Sequence, residues 1–203
     1  SGYKRPLEYP ALNQYLSDFG DPFSLFMYNC PKDYQFLLPF LKKYFTVIKD
    51  TLNYSIVSFK NKHKSVLVEL FCLGTMVEVS YFRKLNTDIN GTKKLSALMF
   101  YIMQENGCSS VAVIKDDPLV HYSIDSLKAY FPKLKWRICN NIHFPSKAER
   151  GFTGRQQYQK ISQYKKYLFI PYSLTIIIPF IQSLVLSVQR KNPIYLMHPV
   201  LCL

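Results

Sequence analysis

The sequence predicts an α/β fold: a mixed, largely antiparallel sheet, a central amphipathic helix packed on it, and a basic, aromatic C-terminal extension. Two stretches predict it. Residues Met76 to Ile114 run as a strand, a polar loop with one glycine, a helix, a turn and a second apolar strand. Ahead of them, β-branched and aromatic runs alternate with turn residues, as antiparallel strands do. With 203 residues, 48% of them hydrophobic, the chain has enough apolar material for one packed domain.

In chain order, residues 1–22 carry Pro6, Pro10, Gly20 and Pro22 and are expected as an N-terminal arm with a short helix over Ala11–Phe19. Pro31 and Asp33 suit a helix start, and the run from Phe36 to Phe45 supplies its buried face, giving a helix over Lys32–Lys43. Tyr54–Phe59, Ser65–Leu73 and Met76–Phe82 are expected as a three-stranded meander, the last two joined through Gly74-Thr75. Leu95, Leu98, Met99, Ile102 and Met103 form one stripe of a helix over Thr92–Glu105, ended by Asn106-Gly107. Ser110–Ile114 (SVAVI) reads as a strand buried near the sheet centre, and Asp116-Asp117-Pro118 breaks it. A helix over Ser123–Phe131 and a strand over Trp136–Ile142 complete a core domain spanning residues 23–144.

Residues 145–203 divide into a basic loop and a hydrophobic segment expected to pack on the core. Leu168–Val188 is uncharged and bracketed by Lys165-Lys166 and Arg190-Lys191. That is membrane-spanning length. Its prolines, serines and Gln182 make a poor span, and Thr175-Ile-Ile-Ile178 favours a buried strand or core segment, so membrane contact ranks below burial.

Lys and Arg number 26 against 13 Asp and Glu, a formal charge of +13. After Asp125 the only acid is Glu149. A surface of this kind suits an anionic partner: nucleic acid, anionic lipid or a phosphorylated cofactor. The cysteines (Cys30, Cys72, Cys108, Cys139, Cys202) form no C-x-x-C pair and suggest reduced core thiols. With no signal-peptide pattern at the start, they predict an intracellular, soluble protein. His63, His121, His143 and His198 are scattered without metal-ligand spacing, so no metal is predicted. Glycine-rich nucleotide loops and a G-x-S-x-G elbow are absent from the sequence.

The order helix, antiparallel strands, loop, helix, strand, helix, strand over residues 30–142 resembles a Gcn5-related N-acetyltransferase (GNAT) domain. The resemblance implies transfer of an acyl group from acetyl-CoA, or another acyl-CoA, to an amine acceptor. It implies that Val79 and Tyr81 on the strand line the pantetheine arm, and that Asn90, Gly91, Thr92 and Lys93 hold the pyrophosphate at a helix N-terminus. Glu78, or Glu69 across the hairpin, would be the base. Tyr130, in a run that loosely matches the family's A-x-x-L-Y-x-K-L-G-F, would protonate the departing thiolate. The loop departs from the family's [Q/R]-x-x-G-x-[G/A] pattern, with Ile89 at the first glycine and Asn86 at the Gln/Arg position. A diverged or inactive relative fits that departure.

Two other functions compete. Arg150, Arg155, Tyr158, Lys165, Lys166 and Tyr167 interleave cations with rings, a pattern that neutralises phosphates and stacks on bases of a nucleic acid or serves another polyanion. A membrane-associated protein would use the segment Leu168–Val188 with its basic flanks.

Overall fold

The structure, a computed structural model, describes residues 3–4, 7–58, 76, 78–81, 107, 110–122, 124, 126–139 and 162–203. The expected strand over Ser65–Leu73 and the expected helix over Thr92–Glu105 lie outside these residues. What is described is a mixed α/β protein dominated by helix, with a small antiparallel sheet and a separate parallel strand pair.

The first helix, α1 (Ala11–Phe19), has the bounds the sequence predicts. It is not part of an arm. Every residue from Leu12 to Phe19 is buried, Asn13 and Asp18 completely. Gly20 ends it at φ 88°, a left-handed conformation that glycine adopts without the Cβ penalty. Asp21 then caps α2 (Pro22–Tyr28) by accepting from the Ser24 N–H at 2.6 Å, with Pro22 in the first turn. Asp33 caps α3 (Tyr34–Tyr44) through the Gln35 N–H at 2.9 Å. The predicted helix over Lys32–Lys43 is therefore present with a slightly later start.

The sheet departs from the expected meander. Thr46–Asp50, read as no element in the sequence, forms β2 and pairs antiparallel with β3 (Tyr54–Ser58). The third strand, β4, is Ser110–Ile114, antiparallel to β3 with Tyr54 opposite Ile114 and Ser58 opposite Ser110. The described strand order is β2-β3-β4, which makes β3 the inner strand, with Val57 fully buried. SVAVI is thus a strand as predicted, outermost among the described strands of this sheet, and most of its residues are only half-buried. Lys115 Nζ, 2.5 Å from Asp50 Oδ1, and Lys42 Nζ, 2.6 Å from Asp50 Oδ2, tie both flanks of the sheet to one carboxylate. Those lysines, Lys115 foremost, with the Ser55 hydroxyl hold the Asp50 carboxyl below the usual carboxylate range. A parallel pair, β1 (Tyr3–Lys4) with β5 (Leu119–Val120), stands apart from the sheet.

Two further expectations are corrected. Residues 79–81 are helical rather than part of a strand over Met76–Phe82. Leu127–Ile138 is one helix, α4, so the strand expected from Trp136 does not begin there. Ser126 starts α4 by accepting from the Ala129 N–H at 3.3 Å. The helix expected over Ser123–Phe131 therefore runs on past Pro132 to Ile138. Inside α4 this proline removes one backbone hydrogen bond on an exposed surface, and good helix formers on both sides carry the helix through it.

Residues 162–203 are mostly helical. A turn, α5 (Ser162–Lys165), runs through a 3₁₀ stretch (Lys166–Leu168) into α6 (Phe169–Leu174). After a break come α7 (Ile177–Gln189), a 3₁₀ stretch (Pro193–Met197) and α8 (His198–Cys202). The core joins the two ends of the chain. Leu12, Tyr15, Leu16 and Phe19 of α1 cluster with Leu25, Ile124, Tyr130, Leu186, Tyr195 and Leu201.

Candidate functional site

The residues expected to perform acyl transfer are not brought together among the described residues. Glu78 is exposed, and the Ser80 hydroxyl donates to its carboxylate. Val79 is exposed and Tyr81 half-buried, both on helical backbone with no strand edge to offer a pantetheine arm. Tyr130 points into the core from α4, 3% exposed, beside its neighbour's ring in Phe131. Glu69, Asn90, Gly91, Thr92 and Lys93 lie outside the described residues, as do Arg150, Arg155 and Tyr158 of the nucleic-acid expectation. Of that second set, Lys165 is turned inward. Its ammonium donates to the Met27 carbonyl at 3.0 Å and lies 5.3 Å from the Phe26 ring centroid, and burial lowers its pKa. Lys166 sits 4.9 Å over the Tyr167 ring.

The feature that stands out is α6 and α7. The segment Leu168–Val188, expected as a buried strand or core element, is a bent helix pair whose two arms meet at 94°. Pro171 and Pro179 fall near the starts of α6 and α7, where a missing N–H costs little. The bend falls at Thr175-Ile176. Ile176 has φ 52°, an uncommon conformation for a β-branched residue.

The amphipathicity of this pair is inverted. On α7 the buried positions are Pro179, Ser183 and Leu186, with Gln182 half-buried between them. This i, i+4, i+7 stripe sets Ser183, with Gln182 beside it, between Pro179 and Leu186, while Ser187 is half-buried and Gln189 exposed. The opposite face carries Ile177 (69% exposed), Ile181, Leu184, Val185 and Val188 (77%). On α6 likewise Tyr172 and Ser173 are buried, while Ile170 and Leu174 (71%) face out. A surface helix in water points its apolar stripe inward. This pair does the reverse.

Three of its hydroxyls are satisfied within the helices, while Ser187 Oγ is buried with no hydrogen-bond partner among the described residues. Ser173 Oγ donates to the Phe169 carbonyl at 2.8 Å, Thr175 Oγ1 to the Tyr172 carbonyl at 2.7 Å, and Ser183 Oγ to the Phe180 carbonyl at 2.7 Å. Back-bonding to the preceding turn lets a hydroxyl sit in an apolar medium with no unpaired donor.

A buried polar row fastens the pair to the rest of the protein. His198 of α8 is fully buried. The Tyr15 oxygen is 2.5 Å from its Nδ1, and the Tyr172 oxygen is 2.6 Å from its Nε2. Tyr172 in turn donates to Gln182 Oε1 on α7. Because the Tyr172 proton goes to Gln182, its oxygen accepts from Nε2–H, and Nδ1 accepts from the Tyr15 hydroxyl. Each proton is used once, and the imidazole is neutral. Burial pushes the His198 pKa down to about 4. Below this row, the Tyr195 hydroxyl donates to fully buried Asp18 at 2.6 Å, and Arg190 Nε lies 3.6 Å from the same carboxylate.

Cys202 Sγ is 3.6 Å from His198 Nε2, a spacing that invites comparison with a nucleophilic Cys–His pair. The environment points the other way. Burial pushes the thiol up to about 12 while the imidazole resists protonation, so the thiolate–imidazolium state is disfavoured twice over. The cluster is a structural joint. Among the described residues, no group of three or more His, Cys, Asp or Glu side chains is placed to hold a metal.

Sequence reasoning found the Leu168–Val188 segment and its flanks but not its orientation. The signal that could have found it is the helical spacing of Pro179, Gln182, Ser183 and Leu186 inside an otherwise aliphatic run. Comparison with family models, with curated proteins and with solved structures yields no match. What the fold and the site define is a class: a mixed α/β protein carrying a bent helix pair with an outward apolar face.

Proposed function

We propose that this protein is membrane-associated, held at a lipid bilayer by the outer face of α6 and α7. One observation carries the proposal: the helix pair turns Ser173 and Ser183 inward with Tyr172, Pro179 and Leu186, and leaves nearly all its aliphatic residues exposed. Removing a half-exposed Ile, Leu or Val from water is worth on the order of 1 kcal/mol, so a face of such residues supplies several kcal/mol toward partitioning into lipid. The pair lies in or dips into the interface. α7 has 13 residues, about 20 Å of helix, short of the roughly 30 Å of a hydrocarbon core. No single helix among the described residues is long and apolar enough to cross a membrane.

The basic flanks contribute less than their sequence positions suggest. Lys165 is engaged with Met27 and Phe26, and Arg190 with Asp18. Lys191 is exposed at the end of α7. Binding is therefore dominated by apolar contact, and it tolerates salt. A nucleic-acid partner predicts the opposite, an affinity that falls steeply as salt rises.

The test is flotation with neutral phospholipid vesicles at low and high salt, using the wild type and the double variant Ile177→Glu/Ile181→Glu. The wild type should float at both salt concentrations and the variant should stay in the aqueous fraction with an unchanged melting temperature. Equal behaviour of the two proteins would sink the proposal. Acyl transfer rests on the sequence resemblance alone, and a melting-temperature shift with acetyl-CoA that Gly91→Glu abolishes is the observation it needs.

A further inference from the structure

A groove of about 330 Å³ opens between α3 and the last turns of α7. Phe36, Phe40 and Leu186 give it apolar walls, Asn29 and Gln189 bring amide groups, and among the described residues no carboxylate lines it. Its cations differ in character. The Arg190 guanidinium lies 3.5 Å from the centroid of Phe36 and 3.6 Å from buried Asp18, which balances its charge. Lys43 is exposed on the α3 wall, its ammonium 5.3 Å from the Tyr44 ring centroid, and within the groove nothing opposes it. The same two turns of α7 that close the groove carry outward-facing Val185 and Val188. A cationic, amide-bearing groove thus adjoins an aliphatic face.

We infer that this groove seats the phosphate-bearing headgroup of an anionic phospholipid, whose acyl chains then lie along the outer face of α7. The inference rests on the membrane reading above and deepens it by naming the lipid class. Lys43 meets the phosphate, Asn29 and Gln189 are placed to hydrogen-bond the glycerol or ester oxygens, and Phe36 and Phe40 cover the glycerol carbons. Lipid and not free phosphate is the ligand, because half of the lining is apolar and a small hydrated anion leaves that half unused.

The test has two arms. In the first, partitioning onto anionic vesicles is divided by partitioning onto zwitterionic vesicles. Lys43→Glu should lower that ratio about fivefold or more, the effect of roughly one juxtamembrane lysine. Lys49→Glu, the same charge change on β2 outside the groove, should lower it clearly less. Equal losses in the two variants overturn the inference, because they reduce it to net charge. In the second arm, a short-chain anionic phospholipid is added below its micelle concentration and the melting temperature is followed. The wild type should shift upward and Lys43→Glu should not, while inorganic phosphate should shift neither. An equal shift with inorganic phosphate, or none with the lipid, overturns the headgroup assignment. If the wild type binds no vesicles, the membrane reading fails by itself, and the second arm still decides the groove.

Discussion

His198 stays neutral because both of its nitrogens are committed, one accepting from Tyr15 and the other donating to Tyr172, and because its full burial penalises a second proton. Its folded pKa of about 4 lies below the ordinary histidine value of 6.5. The unfolded chain therefore binds the proton more readily, and acid favours unfolding. Stability should be level above about pH 6.5, fall as pH drops toward 4, and change little further from this group below that, by on the order of 3 kcal/mol in all. Denaturant titrations across that window check it, and His198→Gln should flatten the slope whatever its effect on absolute stability. Asp18 sets a second residue-scale expectation. Tyr195→Phe removes a hydroxyl donated to a fully buried carboxylate at 2.6 Å and should cost about 2–3 kcal/mol in chemical denaturation.

At the scale of elements, the break between α6 and α7 depends on one residue in an unfavourable backbone region. Ile176 at φ 52°, ψ −45° is the centre of a γ-turn in which the Ile177 N–H donates to the Thr175 carbonyl, a sparsely populated conformation that costs an L side chain about 1 kcal/mol or more. Ile176→Gly relieves it, and because the side chain is half out in solvent little packing is lost. The melting temperature should rise, and a fall would show that the side chain contributes more packing than its exposure indicates. The outer faces of the same helices bear on binding and not on stability. Ile177→Glu/Ile181→Glu should leave unfolding free energy within about 0.5 kcal/mol of wild type while abolishing vesicle flotation. The contrast between these variants separates what the elbow does for the fold from what its surface does for a membrane.

For the whole molecule, the chain ends are the structural centre. Tyr195, Leu201 and His198 meet α1, so residues near the start and the finish of this sequence share one core. Removing residues 193–203 should abolish cooperative unfolding, as followed by near-ultraviolet circular dichroism, because α1 would expose Tyr15 and Leu16 and leave the Asp18 carboxylate without the Tyr195 hydroxyl. Loss of the C-terminal turns alone, with an intact cooperative transition, would contradict that picture.

Local signals were legible wherever neighbours in sequence are also neighbours in space. The bounds of α1, the Asp33 cap, the β-branched strands Tyr54–Ser58 and Ser110–Ile114, and the uncharged Leu168–Val188 segment all follow from capping chemistry, propensity and composition. Two failures were local signals overruled. Pro132 sits inside α4 on an exposed face, and Thr175-Ile-Ile-Ile178 bends between helices instead of extending as a strand. The remaining decisions were out of reach of any short window. That α1 is core and not an arm depends on Tyr195 and Leu201, and that β3 pairs with β4 depends on contacts more than fifty residues apart. Which face of α7 turns inward depends on Tyr172, itself held by His198, reaching Gln182. Periodicity names a stripe on a helix, but a stripe becomes inner or outer only through the partners that cover it. In α7 the inner stripe joins the core through Leu186 and accepts from Tyr172 through Gln182, and the aliphatic face is left to the surroundings.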